Sequence, residues 1–435
     1  MSPLLLAVLC LAGMLALMAV RVPIAMSLGI SSFVGIWALR GFDTALNMLA
    51  STPFEFAASW HLTAIPMFLL MGGIAFRCGL TGSLFDAARL WFGRLPGGLA
   101  ISTNFASAIF AAASGSSVAT AAAMGRLAIP QMLRYGYDPA LACATVAAAG
   151  TLGSMIPPSI AFVIFGWYTE TPIGKLLIAG ILPGLLNAAL FAVFIISYCV
   201  WRPEAAPPPD EHPTLREKFA ILGKVWPIPV LILCVIGGIY SGLTTATEAA
   251  AFGAAAALVI SAITGGLTWQ TFKESIVDTL HAGSSIFLIA IGAVLLTRFL
   301  ALTGLPQYMG SLIDTLGLGQ LGVILFMVAL YLILGCFLDP IGIMLITLPI
   351  LLPMWKAVGA DLIWMGVLVV MLLEIGLMTP PVGLNAFVVK SVVGDQVSLS
   401  TIFRGLWWFI AVDAVVVALL VAFPQISLYL PGLLE

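Results

Sequence analysis

Ser114-Gly115-Ser116-Ser117, Asp339-Pro340 and two Gly-x-x-x-Pro-Pro strings, Gly153 to Pro158 and Gly376 to Pro381, place hydroxyls, a carboxylate and helix-breaking residues inside apolar sequence. Serine and aspartate are favoured helix N-caps and proline is favoured at the first helical position, so Ser116, Ser117 and Asp339-Pro340 each read as the start of a helix. Thr379, ahead of Pro380, reads as a further cap. A helix start offers unpaired N–H groups and partial positive charge, which suit a carboxylate. Proline within a helix removes a backbone hydrogen bond, and the carbonyl released suits a small cation. The expected chemistry is joint binding of an anion and a cation, as cation-coupled uptake of an acid requires.

These motifs belong to an internal repeat. Pro130, Gly136, Asp138, Val146, Gly153, Met155, Pro157 and Pro158 recur 223 positions later as Pro353, Gly359, Asp361, Val369, Gly376, Met378, Pro380 and Pro381. Broken helices at matching positions of two halves point to a transport site. The copies are not chemically identical, since Thr151 in the first corresponds to Glu374 in the second. Glu374 sits in the apolar run from Leu362 to Phe387, where an ionisable group is costly and marks function.

The elements that must position these residues follow from composition. Residues are 62% hydrophobic and 8% charged, with mean hydropathy +1.15, which excludes a soluble core and describes a polytopic all-α membrane protein. A crossing helix needs roughly 20 apolar residues. Ten runs qualify, at about 4–20, 24–39, 61–76, 139–168, 175–200, 225–241, 245–264, 280–300, 361–389 and 405–430, five in each half. The first run has no positive residue ahead of it and no small-residue cleavage pattern, so it reads as a membrane helix and not as a signal peptide. Two further apolar segments, about 98–134 and 319–356, fold around the serine cluster and around Leu338-Asp339-Pro340 as re-entrant hairpins.

The polar stretch Arg202 to Lys218, with Pro207, Pro208 and Pro209 beside Asp210 and Glu211, separates residues 1–201 from 224–435, with the linker at 202–223. An odd number of crossings per repeat inverts the second half relative to the first. With both termini outside, thirteen of the seventeen Lys and Arg residues fall on the cytoplasmic side, as positive-inside bias requires. Net charge of -2 and the lack of a basic stripe exclude a nucleic-acid partner. The six cysteines lie singly and His61, His212 and His281 show no ligand spacing, so neither a disulfide frame nor a metal centre is expected. No Gly-x-x-x-x-Gly-Lys-Ser/Thr loop occurs, which leaves an ion gradient as the energy source.

Other readings of the same residues stay open. The serine cluster could cap a helix and let helices pack closely through small residues. Asp339 alone could be no more than a cap, and Glu248 and Asp413 could be helix-end or packing residues. An intramembrane serine protease would need a base within reach of Ser114 to Ser117, and no histidine is evidently paired with that loop. A passive channel fits two closed hairpins less well than alternating access does.

The strings Ser114-Gly115-Ser116-Ser117-Val118-Ala119-Thr120, Gly150-Thr151-Leu152-Gly153-Ser154-Met155-Ile156-Pro157-Pro158-Ser159, Thr245 to Gly253 and Gly376-Leu377-Met378-Thr379-Pro380-Pro381-Val382-Gly383 together resemble the large membrane subunit of tripartite ATP-independent periplasmic (TRAP) transporters, over essentially the whole chain. The resemblance implies an elevator-type carrier of the bacterial or archaeal inner membrane, driven by sodium as coupling ion and needing no bound cofactor. It also implies a separate small four-helix membrane subunit and a periplasmic substrate-binding protein as partners. Sodium would be held by Ser114, Gly115 and Ser116 with Gly150, Thr151 and Gly153, and by Leu338 and Asp339 with Gly376 and Thr379. An organic-acid substrate would lie near Ser116, Ser117, Pro157, Pro158, Ser159, Pro381 and Asn385. A stand-alone sodium-coupled carboxylate carrier of the same hairpin plan would share most of these features.

Overall fold

The computed structural model describes residues 2–207 and 214–433; Pro208, Pro209, Asp210, Glu211 and His212 of the expected linker lie outside the described residues. The described residues form helices and no strand. Seven helical segments are long and apolar enough to cross a membrane, or eight when the bent pair Leu215–Val225 and Pro227–Tyr240 counts as one. Several expected crossings are shorter apolar helices. Pro3–Ala19 and Ile24–Arg40 have 17 residues each, about 25 Å at 1.5 Å per residue. Leu362–Gly376 is short because its span continues beyond a break as Leu384–Val393.

Four helices lay outside the expected crossings: Phe42–Ala57, Leu80–Phe92, Leu215–Val225 and Leu305–Leu316. In Leu80–Phe92 the buried residues Leu80, Thr81, Leu84, Phe85, Ala87 and Ala88 form one stripe. Such amphipathic segments carry too few apolar residues to stand out as spans, yet a single apolar face suffices to bind them to the protein or the interface. The expected 280–300 crossing is the final part of a longer helix, Trp269–Thr303.

Both segments expected as hairpins are pairs of helices joined by a short turn. Gly98–Ser114 packs against Ser117–Arg134, and Gln320–Gly335 against Pro340–Ala357. The first turns within two residues because Gly115 adopts φ 61 and Ser116 caps the next helix, its hydroxyl accepting from the Ala119 amide at 3.4 Å. The two broken helices run Pro139–Met155 with Ile160–Thr169 and Leu362–Gly376 with Leu384–Val393, and both breaks contain a cis X–Pro bond, Pro157-Pro158 and Pro380-Pro381.

Pro139–Thr169 is buried along nearly its whole length. Both arms of the first hairpin and the helix Leu399–Ala422 pack around its first part. Close approach comes from small residues, because apolar side chains gain little from leaving lipid for protein. A Cβ on Gly405 would meet the Ala140 carbonyl at 2.3 Å, and one on Gly150 would meet the Ala121 side chain at 2.8 Å. A second group gathers Ile24–Arg40 and Ala64–Arg77 around Trp269–Thr303, which also contacts the second hairpin through its arm Pro340–Ala357.

Candidate functional site

The first hairpin tip rests on the first break. The Ser114 and Thr120 hydroxyls lie 2.7 Å apart, and Thr120 Oγ1 donates to the Ser116 carbonyl at 2.9 Å. Gly153 of the broken helix faces the same oxygens: a Cβ there would lie 2.6 Å from the Ser116 carbonyl and 2.8 Å from Thr120 Oγ1. On the other side of the tip, the Ile160 amide donates to the Gly115 carbonyl at 3.5 Å, and a Cβ on Gly115 would meet the Pro158 carbonyl at 2.6 Å. Ser159, fully buried, caps Ile160–Thr169 by accepting from the Phe162 amide at 3.4 Å. Ser114, Gly115, Ser116, Gly153, Pro158 and Ser159 are thus brought together as expected. Thr120 joins them, and its i+4 spacing from Ser116 is the signal that could have found it.

The other expected members make contacts of their own. The Thr151 hydroxyl donates back to the Ala148 carbonyl at 2.6 Å, and Gly150 serves to admit the Ala121 side chain. In the second half, Asp339 caps Pro340–Ala357, with Oδ2 accepting from the Gly342 amide at 2.9 Å. Thr379 does not cap a helix. Its hydroxyl donates to the Ile375 carbonyl at 2.7 Å, and the helix after the break starts at Gly383, φ 57, with no side-chain cap. Threonine bonded to its own preceding turn satisfies its hydroxyl without the extended backbone that capping needs. The Leu338 amide closes the preceding turn on the Leu334 carbonyl at 3.1 Å. What joins the second hairpin to the second break is Gly335 against Gly376, where a Cβ on either would lie 2.8 Å from the other's Cα. Sequence reading missed Gly335, a glycine inside an apolar helix with no motif around it.

The two halves meet through Glu374, which is 2% exposed. Ser117 donates to its Oε2 at 2.6 Å, and the Ser117 and Ser154 hydroxyls lie 2.8 Å apart. A buried carboxylate is tolerable when hydroxyl donors satisfy it. Here the donor is Ser117 of the first hairpin, 257 positions away, with Ser154 of the first broken helix bonded to the same hydroxyl. Asn385 adds a second tie, donating from Nδ2 to the Ala147 carbonyl at 3.0 Å. Pro157 is buried at the first break whereas Pro381 is exposed at the second. Glu248 is a helix-end residue: its carboxylate accepts from the Thr245 amide and hydroxyl, both at 2.8 Å.

What can this arrangement do? The oxygens at the first tip are hydroxyls and carbonyls, donors suited to a hard monovalent or divalent cation and not to a soft metal. Among the described residues no group of three His, Cys, Asp or Glu could hold a metal ion. The Ser117 hydroxyl is engaged by Glu374 and Ser154, with no histidine bonded to it. A separate open cavity of about 860 Å³ lies where Ile160–Thr169 meets the start of Ala246–Ile263, lined by His61, Trp167, Glu170, Lys175, Tyr240 and Thr245 among others.

Comparison with known proteins places the chain. Residues 11–426 match the family model described as tripartite ATP-independent periplasmic transporter, DctM component. The C4-dicarboxylate TRAP transporter large permease protein DctM of Pseudomonas aeruginosa is 38% identical over 93% of this chain and 94% of its own length. The isethionate TRAP transporter permease protein DctMQ of Oleidesulfovibrio alaskensis is 33% identical over 95% of this chain and 63% of its own length. Among solved structures, the YdaH transporter of Alcanivorax borkumensis shares the fold, with TM-score 0.62 and 14% identity over 89% of this chain and 90% of that one. The chain is a multi-pass membrane transporter subunit and not an enzyme, and it belongs to the DctM family, the large permease component of tripartite ATP-independent periplasmic transporters.

Proposed function

We propose that this subunit carries a small organic acid across the inner membrane by coupling its uptake to an inward sodium gradient, with a small membrane subunit and a periplasmic binding protein as partners. The observation that carries the reading is the oxygen cluster of the first hairpin tip, Ser114, Ser116 and Thr120, closed against Gly153 of a broken helix and tied across the repeat by Ser117 to Glu374. A cation at those oxygens would draw tip and helix together. The neighbouring helix start at buried Ser159 turns the positive end of a helix dipole toward a carboxylate. The anion then binds best after the cation, which is the order that coupled uptake needs.

In this reading the hairpins and broken helices move as one unit against the group built on Trp269–Thr303, the two halves being inverted copies. Sodium sites at both tips use mainly backbone carbonyls. A small organic-anion substrate is consistent with the C4-dicarboxylate and the isethionate, a sulfonate, named for two relatives, and the first of these favours a carboxylate. Reconstitution of the complete assembly in proteoliposomes tests the proposal. An inward sodium gradient should drive concentrative uptake of a C4-dicarboxylate, and potassium or choline should not replace it. Equal uptake in all three salts would sink sodium coupling, and uptake without any binding protein would favour a stand-alone carrier.

A further inference from the structure

Asp413 lies near the middle of the 24-residue helix Leu399–Ala422, is 0% exposed, and has no hydrogen-bond partner on either carboxylate oxygen. The Asn187 amide lies beside it without hydrogen-bonding geometry to those oxygens, and Asn187 Nδ2 points instead at Met371 Sδ, 3.9 Å away. The titratable residues on the helices packed around it are Cys143, Tyr198, Cys199, Glu374, Lys390 and Tyr429. Of these, Glu374 is the one within electrostatic reach, and it has the same sign. Lys390 is held by the Gly394 and Val397 carbonyls. Arg404 stands nine residues earlier on Asp413's own helix, about 13 Å along the axis.

An ionised carboxylate removed from water costs several kcal/mol unless donors or a cation compensate it. Glu374 accepts from the Ser117 hydroxyl, which is itself hydrogen-bonded to Ser154; Asp413 has no donor. Two carboxylates in one apolar core do not both carry a charge when one lacks every compensating group. Turning the Asn187 amide over would give one oxygen a donor and still leave the charge buried, whereas protonation removes the charge. It cancels the charge and turns one acceptor into an O–H donor, which a small rotation brings onto the Asn187 side-chain oxygen, itself without a partner.

We propose that Asp413 is a proton-binding site of the transport core, filled as the carboxylic acid in this conformation. When the surrounding helices rearrange and admit water, the O–H bond breaks, the proton passes to water and the carboxylate remains, so each cycle through such a state exchanges one proton. The site is separate from the hairpin tips and holds whether or not sodium binds there.

Infrared difference spectra of the purified chain in lipid nanodiscs test this without a substrate or coupling ion. At neutral pH the wild type should show the C=O stretch of a protonated carboxylic acid, absent in Asp413→Asn and retained in Glu374→Gln. Asparagine is neutral and nearly the same shape, so the variant should fold. No such band in the wild type, or a band lost in Glu374→Gln and kept in Asp413→Asn, would overturn the proposal. In the reconstituted assembly, wild-type uptake should vary several-fold between neutral and alkaline pH, and Asp413→Asn should flatten that profile. Superimposable profiles would count against the exchange step.

Discussion

Gly153→Ala tests whether contact between the first hairpin tip and the first break sets cation affinity. The added Cβ would lie 2.6 Å from the Ser116 carbonyl oxygen, 2.7 Å from its carbon and 2.8 Å from Thr120 Oγ1. Two of these atoms are backbone and cannot swing aside. Relief from 2.6 Å to the ordinary contact distance of 3.4 Å needs a shift of 0.8 Å between tip and helix, at a cost of about 1–3 kcal/mol for a buried methyl forced into a packed site. If a bound cation requires the closed tip, that cost appears as a loss of affinity of about 5- to 150-fold. The assay is the unfolding midpoint of the purified chain titrated with sodium chloride against matched choline chloride, since a ligand of the folded state raises stability by mass action. Gly283→Ala is the control: nothing lies within 4 Å of the added Cβ, and a helical glycine replaced by alanine should gain about 0.5–1 kcal/mol. A folded Gly153→Ala protein with wild-type sodium affinity would refute the role given to this contact.

A double-mutant cycle on Ser117→Ala and Glu374→Gln should show coupling of about 1.5–3 kcal/mol, the range for a hydrogen bond to a charged group, in unfolding free energy; additive effects would mean that the tie between the halves contributes nothing. Asp339→Ala should lose about 1 kcal/mol through its cap, and Asp339→Ala and Thr379→Val should both reduce the sodium-specific rise in midpoint. Full sodium response in both variants would remove the second hairpin from the ion sites. In the linker helix Leu215–Val225, the Thr214 amide and hydroxyl hold the Glu217 carboxyl below its ordinary range. A depressed folded value means that the contribution is present above the unfolded value and is lost as pH falls through the folded one. Amide protection at the start of this helix, corrected for intrinsic rates, should therefore drop on acidification, and Glu217→Gln should abolish the step.

Composition determined the solvent, the repeat at an offset of 223 positions located both breaks, and the turn residues inside two apolar runs located both helix pairs, because caps and prolines act within a few residues of themselves. Ser116, Asp339 and Glu248 do in three dimensions what local sequence requires of a cap. Thr379 misled for the same reason: its position before Pro380 has the local form of a cap, but its hydroxyl satisfies itself on the preceding turn. The amphipathic helices escaped notice because one apolar stripe among polar residues carries no length signal. Only the tertiary structure could bring Glu374 to Ser117 and Ser154, set Gly335 against Gly376, and leave Asp413 without a partner. Those contacts join residues up to 257 positions apart, and whether a buried group is satisfied depends on which helix happens to face it. The chain's own sequence thus specifies what each segment is, while helix packing decides which polar atoms meet and which are left without a partner.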